Sequence, residues 1–524
     1  MSKGKNIFSE LSMYFKSDVS NMTAWMFTSI LKRVFPSLGG IVKAKRGNSK
    51  VTMDAEIRFI LQGISSGVKN ISGLVSDKFG SLLRIKSSSI FDGLMNSDEV
   101  DWRTFLKKML LNINNLTAKE LERKASETFG DDAHEMFRQE PSGRALSPCF
   151  IIDDSVYPKT GKRTELIGKV FDHNSMKSVL GFKGLNLAYF DGKSTYSVDF
   201  ALVGEGFDNE EHPQGMRKKD IGARFSKARE SSSKASERVN EYRKSKPELL
   251  KDMVRNATDE GITGVKYVLC DSWFLSKDVL GFFEDEMGIH YIGMAKSNIR
   301  FDTEEGELNT AEVARMMKKK ESARRKTHGR DANGNKIPKF IKKLYGKRFY
   351  GAELECTYKG RKIKVCIFSD NRKDWKAVVC TDMSLSLKEV FEYYQVRWNI
   401  EVMHADSKAL FNLGKCQQRN FSGQVADMTL KLCVYNIMTY MKRITVYETL
   451  GGIFGDMTEL KAEVCLVDKI WGMIMEAISS ITRAFGASVS SIMNIVLDEN
   501  KDICALYNLA LKMNPSLCLA KLET

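Results

Sequence analysis

The chain has 524 residues, room for two to four domains at roughly 100 to 200 residues each. Hydrophobic residues make up 43% and charged residues 28%, a balance that allows a sizeable core and excludes a disordered or collagen-like chain. Lys and Arg number 81 against 66 Asp and Glu, and the net charge of +15 points to a polyanionic partner. The apolar stretch from Trp471 to Thr482 is interrupted by Glu476 and followed by Arg483, short of the roughly 18 to 20 uncharged residues of a bilayer span, so no membrane partner is expected. Met1 to Phe15 carries Lys3, Lys5 and Glu10 without an apolar h-region, so the expected location is cytoplasmic. Ten cysteines without a C-x-x-C pair read there as buried thiols.

In chain order, residues 1–140 are predicted helical and read as a small N-terminal domain. Ile57, Ile60, Leu61 and Ile64 follow the i, i+3, i+4, i+7 rule, and Phe105, Leu106, Met109 and Leu110 form a second periodic stretch. The period then changes. Cys149, Phe150, Ile151 and Ile152 make a short apolar run that ends in Asp153 and Asp154, a predicted strand. Ser178 to Tyr189 and Ser194 to Leu202 flank Asp191-Gly192, a hairpin signal. After a polar, basic stretch over 205–246, a helix is predicted from Pro247. Val265 to Cys270 is then a strand ending at Asp271, Lys277 to Met287 a helix, and Ile289 to Ala295 a strand, which together form a strand-helix-strand unit. Over 298–385 the pattern is β again: Leu354, Cys356 and Tyr358 alternate, Lys359-Gly360 turns, and Ile363, Val365 and Ile367 alternate back. A long helix is predicted from Leu385 to about Leu413, with further helices over Val425 to Met441 and Asp468 to Phe485.

The charge is concentrated. Residues 311–380 hold 21 Lys or Arg and 7 Asp or Glu, a net +14, and Lys32 to Lys50 and Arg217 to Lys246 are smaller basic stretches. One such run is usually a solvated face, but three of them favour nucleic acid.

Three carboxylates sit where chemistry would be presented: Asp154 and Asp271 at strand ends, and Glu401 in the long helix. An acid just past a strand is most often a turn former or helix cap. The helix discriminates. At about 100° per residue, Tyr394, Arg397, Glu401 and Lys408 share an arc of about 60°, beside an apolar face holding Val396, Ile400, Met403, Leu410 and Phe411. An i, i+4 Arg-Glu pair on a solvated face is the plain account. An aromatic hydroxyl and two cations around one carboxylate also suit a phosphodiester site, where the acid holds a metal and the cations hold phosphates. His404, one turn after Glu401, is expected at the rim of this strip.

Tyr394, Arg397, Glu401 and Lys408 meet the spacing Y-x2-R-x3-E-x6-K, which resembles the signature of DDE-type bacterial insertion-sequence transposases of the insertion-sequence-four group. Ile-Ile-Asp-Asp-Ser (151–155) is similar to the first acidic motif of that family and Val-Leu-Cys-Asp (268–271) to the second. More weakly, Ser87 to Lys108, with Asp101-Trp102-Arg103, resembles its N-terminal DNA-binding region. Asp153 and Asp154 compete for the first role, and Asp154 is chosen because the catalytic Asp of the family precedes a hydroxyl residue. Ser272-Trp273-Phe274 departs from the Gly or Arg that usually follows the second acid.

The resemblance implies an α/β fold with a ribonuclease-H-like mixed-sheet core over 141–440, a basic β-rich insertion over about 298–385, and helical regions over 1–140 and 441–524. It implies a cut-and-paste transposase in which Asp154, Asp271 and Glu401 hold Mg2+ or Mn2+, two ions in all, and cleave and join double-stranded DNA at terminal inverted repeats and target. The implied setting is bacterial, nucleoid-associated on DNA, with a homodimer in the synaptic complex. For such a dimer Ile470, Ile474, Ile478, Ile481 and Phe485 offer an apolar face, although core packing is its commoner use. Tyr394, Arg397 and Lys408 are expected on DNA phosphates. Lys318, Lys319, Lys320, Arg324 and Arg325 of the insertion are expected to grip DNA, and the resemblance implies that Trp375 stacks on a displaced base, packing in the core of the β insertion being the alternative. A ribonuclease-H-like nuclease or resolvase, or a non-enzymatic DNA-binding derivative, are the alternatives.

Overall fold

The structure is a computed structural model that describes residues 18–42, 52–69, 73, 89–129, 146–327, 342–344, 347–371, 373–445, 447–458 and 499. The predicted helix over Asp468 to Phe485, with its apolar face, lies outside the described residues. Four helices come first: α1 (Asp18–Val34), α2 (Met53–Ser65), α3 (Ser89–Met95) and α4 (Trp102–Phe129). The periodic residues of the sequence form their inner faces, with Ile57, Ile60, Leu61, Phe105, Leu106, Met109 and Leu110 all buried. Thr52 caps α2 by accepting from the Ala55 amide at 3.3 Å, which satisfies a donor that the first turn leaves free.

The sheet begins with β1 (Cys149–Pro158), β2 (Gly168–Asp172), β3 (Lys177–Phe190) and β4 (Thr195–Val203), and the expected hairpin joins β3 to β4, with Gly192 at φ 98. α5 (Lys218–Gly222), α6 (Lys234–Glu241) and α7 (Lys246–Asp259) follow. Ser245 and Glu248 form a capping box at the start of α7, Pro247 fits its first turn, and Leu249, Leu250, Met253 and Val254 seat it on the sheet. Next come β5 (Tyr267–Cys270), α8 (Lys277–Gly281) running into a π-helical turn over Phe282–Glu286, and β6 (His290–Met294).

β1 lies antiparallel to β3, β3 antiparallel to β4, β5 parallel to β1, and β6 parallel to β5. Three antiparallel strands followed by two parallel ones, in the order β4-β3-β1-β5-β6, is a ribonuclease-H-like mixed sheet, so the expected fold class is borne out. Cys149 to Ile152 of β1 and all of β5 are buried on both faces, which explains their unbroken apolar runs.

The insertion differs from expectation in two ways. Its strands β7 (Arg300–Thr303), β8 (Gly306–Asn309), β9 (Lys342–Leu344), β10 (Lys347–Tyr358), β11 (Arg361–Ser369) and β12 (Lys376–Cys380) continue the core sheet, because β12 pairs with β6 and carries β11, β10, β7 and β8 outward. It also contains a helix, α9 (Thr310–Thr327), where β structure was expected. The run Met-Met-Lys-Lys-Lys-Glu-Ser-Ala-Arg-Arg-Lys consists mostly of strong helix formers, and its charge obscured that.

The predicted long helix is two, α10 (Leu387–Val396) and α11 (Trp398–Phe411), meeting at Arg397, which stays helical in φ and ψ. α12 (Phe421–Ile444) is buried along most of its length and packs against β4 and all four N-terminal helices. Among the described residues no helix is long and apolar enough to cross a membrane.

Candidate active site

The register of two parallel strands assembles the site. Ile151 of β1 is level with Leu269 of β5, so two residues further on Asp153 is level with Asp271, and level residues of parallel strands face the same side. Asp154 faces the other way. Its carboxylate forms an ion pair with Lys246 at the start of α7. Arg397 joins the first strand to the helix: Nη1 donates to Asp153 Oδ2 at 3.2 Å, and Nη2 to Glu401 Oε1 at 2.5 Å. Asp153, Asp271 and Glu401 thus share one side of the sheet, with the guanidinium between Asp153 and Glu401. Of the two adjacent acids, the structure places Asp153, and not the chosen Asp154, in this group.

The electrostatics follow. Burial raises the Asp153 carboxyl to about 7, the Arg397 guanidinium and the Asp154 amide oppose that rise, and the neighbouring Asp154 and Asp271 charges add to it. Burial pulls the Arg397 guanidinium down, but Tyr394, Asp153 and Glu401 outweigh it and hold Arg397 above its usual range. Tyr394 is half-buried beside Arg397, and burial pushes its phenol up to about 12.

Lys408 reaches the same face one turn of strand further on, donating from Nζ to Ser155 Oγ at 2.6 Å and lying 5.2 Å from the centre of the Tyr157 ring. Burial pulls its ammonium below the usual lysine range. His404 is not at the rim. It is buried, and burial together with Lys408 holds its imidazole near a pKa of about 3, so it is neutral.

Among the described residues no three His, Cys, Asp or Glu side chains are gathered closely enough to hold an ion. The chemistry nonetheless suits a hard divalent cation. Asp153, Asp271 and Glu401 supply oxygen donors, and a carboxyl lifted to about 7 by burial and like charge is one that a further cation would stabilise in its ionised form. Arg397 now provides the positive charge between two of them.

The other expected residues are dispersed. Lys319 and Lys320 are exposed on α9 and Lys318 is half-buried with Nζ 5.3 Å from the centre of the Trp375 ring, while the side chains of Arg324 and Arg325 lie outside the described residues. Trp375 is partly buried against the core just before β12. Trp102 is buried, and Arg103 is held by Asp199 and Glu241, so this part of the supposed DNA-binding region serves packing. Much of the Arg217 to Lys246 charge is also internal: Arg229 pairs with Asp98 and Glu165, and Arg238 with Glu241. The Asp154-Lys246 pair was not foreseen, and no spacing in the sequence marks it.

Residues 237–437, less than half of the chain, match the family model of the transposase DDE domain. That span contains Asp271, Tyr394, Arg397, Glu401 and Lys408 and begins after Asp153, and it supports a DDE-type transposase. Among solved structures, the chain is similar to one described as a cryo-EM structure of the piggyBac transposase synaptic complex with hairpin DNA, at 10% identity and a TM-score of 0.39, over 86% of this chain and 81% of that one. No curated protein matches the chain.

Proposed function

We propose that the protein is a metal-dependent DNA transposase that cleaves the ends of an insertion sequence and joins them to target DNA. The observation that carries this reading is the Arg397 bridge between Asp153 and Glu401, with Asp153 level with Asp271 on the neighbouring parallel strand. The match over 237–437 to the transposase DDE domain supports the same class.

Asp153, Asp271 and Glu401 would hold Mg2+ or Mn2+, which when bound supplies charge neutralisation and an activated oxygen nucleophile for in-line phosphoryl transfer. Arg397 fixes the spacing of two of the three carboxylates and holds positive charge where a phosphate approaches. Lys408 and Tyr394 flank it, and the Lys408 ammonium, partly desolvated, is the second cation for the strand. Asp154 has a positioning role, because its carboxylate orients Lys246. Lys319 and Lys320, exposed on α9, with Lys318, Arg324 and Arg325 of the same stretch of sequence, are proposed as a non-specific grip on the duplex. Trp375 is proposed to stack on a displaced base, Lys318 lying over its ring.

Purified protein is mixed with DNA carrying the two ends that flank its gene, Mn2+ and a supercoiled plasmid. End cleavage and end-to-plasmid joining are expected. Cleavage without joining would identify a nuclease or resolvase instead, and end binding with neither product a non-enzymatic derivative. Sizing the cleaving complex is expected to give two protein copies, and a monomer there would contradict a synaptic dimer.

A further inference from the structure

The face of β1 that carries Asp153 continues past the acids. Side chains alternate along a strand, so Asp153, Ser155 and Tyr157 stand on one side of the sheet, and α11 packs across that side. Arg397, at one end of the helix, meets Asp153, and Lys408, near the other, meets Ser155 and the Tyr157 ring. The reaction as described uses Asp153 and Lys408 and leaves Tyr157 without a part.

Tyr157 is buried and closely fixed. Two glycines make room at opposite edges of its ring. A Cβ at Gly184, opposite Ser155 on β3, would overlap ring atom Cε2, and one at Gly414, in the loop after α11, would stand 2.5 Å from Cδ1. Gly414 has φ +81, a conformation that glycine adopts without strain, so the loop comes against the ring through backbone alone. Asn186 of β3 donates from Nδ2 to the phenol oxygen at 3.4 Å. The Leu413 amide returns to the Ser407 carbonyl at 3.1 Å and closes α11, while buried Lys431 of α12 donates to the Asn412 carbonyl at 3.0 Å. The end of α11 is therefore held on the ring by its own loop and by α12, and the ring is held by β3. Within this frame the Lys408 ammonium rests on a hydroxyl and a π face, with Nζ 2.6 Å from Ser155 Oγ and 5.2 Å from the ring centre. A lysine fixed in advance loses less rotamer entropy when it grips an anion.

We propose that Tyr157 is a positioning residue: its ring fixes the Lys408 ammonium by a cation–π contact where a phosphate of the DNA strand meets it. The ring is electron-rich at its face whether or not it carries the hydroxyl, so the phenol itself is dispensable. That Lys408 meets a phosphate rests on the transposase reading, whereas the placing of Lys408 by the ring does not.

Two readouts separate these parts, and neither needs metal or cleavage. The first needs no DNA: the Lys408 amine is titrated by carbon NMR of reductively methylated protein, its signal assigned by its loss in Lys408→Gln. A π face stabilises the charged form, so Tyr157→Leu is expected to move that titration downward and Tyr157→Phe to leave it in place. The second is affinity for a duplex end in chelator. Lys408→Gln is expected to lower the salt slope by about one ion. Tyr157→Leu is expected to weaken binding about fivefold, the size of one such contact, and Tyr157→Phe to bind as wild type. In the Lys408→Gln background, Tyr157→Leu is expected to add nothing. A folded Tyr157→Leu protein whose Lys408 titrates as in wild type overturns the proposal. An equal loss of affinity in both backgrounds also overturns it and makes the ring a packing residue. If Tyr157→Leu does not fold, Tyr157→Phe with a progressively fluorinated ring keeps the shape and weakens the π face, and a Lys408 titration that stays constant along that series overturns the proposal too. If Lys408→Gln leaves affinity and salt slope unchanged while the ring still moves the titration, the strand role is overturned and the contact upheld.

Discussion

Asp153→Asn is the sharpest test of the electrostatics, because the substitution keeps the shape of the side chain and removes only its charge. In the fold, burial, with Asp154 and Asp271 beside it, raises this carboxyl from 3.8 to about 7. A raised folded pKa means that the native state binds the proton more tightly than the unfolded chain. The stability it contributes is therefore fully present below about 3.8 and is lost as pH rises through about 7. The size of that loss is about 4 kcal/mol, at roughly 1.4 kcal/mol per pKa unit, for a side chain that is only 18% exposed. Asparagine cannot ionise, so the metal-free variant is expected to lose less stability than wild type between pH 4.5 and pH 8. The assay is thermal unfolding of both proteins in chelator across that range, read as the difference between their melting temperatures. That difference should move by several degrees in favour of the variant as pH rises. Mg2+ at pH 8 should raise the wild-type melting temperature and leave the variant nearly unchanged. Parallel curves for the two proteins from pH 4.5 to 8 would refute the claim that Asp153 is the buried acid of the cluster.

Three other expectations follow from the same geometry. Arg397→Ala removes the cation that holds Asp153 down, so the midpoint of the pH profile of cleavage should move upward and the rate at pH 7 should fall, about 100-fold if Arg397 also holds a phosphate; an unchanged profile would show that Arg397 only packs. Changing Lys318, Lys319 and Lys320 to Gln should weaken binding to all DNA sequences alike and lower the salt slope by about three, with little change in melting temperature. Arg103→Ala should do the reverse, costing about 2 to 3 kcal/mol of stability by removing one of the two arginines that pair with the buried Asp199 and Glu241, Arg238 being the other, while leaving the salt slope alone.

The elements were legible where one physical signal dominated. The β1 and β5 strands show as short apolar runs because both faces are buried, and the β3-β4 and β10-β11 hairpins show because Asp191-Gly192 and Lys359-Gly360 adopt turn conformations, Lys359 and Gly360 both at positive φ. The helix α9 was hidden because charge and helix propensity coincide in the same residues. Arg103, Arg229 and Arg238 could not be separated from DNA-binding cations, since whether an arginine meets a carboxylate or a phosphate depends on partners far along the chain, such as Asp199 on β4. The choice between Asp153 and Asp154 turned on strand register. A motif comparison fixes an acid to within one residue, but a shift of one reverses its face, and only the pairing of β1 with β5 shows which acid stands beside Asp271. Glu401 and Arg397 were found together because both are on one helical strip, and a helix carries its own geometry in its sequence.

Asp153→Asn and Asp154→Asn, compared in one metal-dependent cleavage reaction on the same end DNA, test the central claim most directly. Asp153→Asn is expected to abolish cleavage while retaining end binding, and Asp154→Asn to keep cleavage within about tenfold of wild type, since its carboxylate only orients Lys246. Full cleavage by Asp153→Asn, with loss in Asp154→Asn, would contradict the site as assembled.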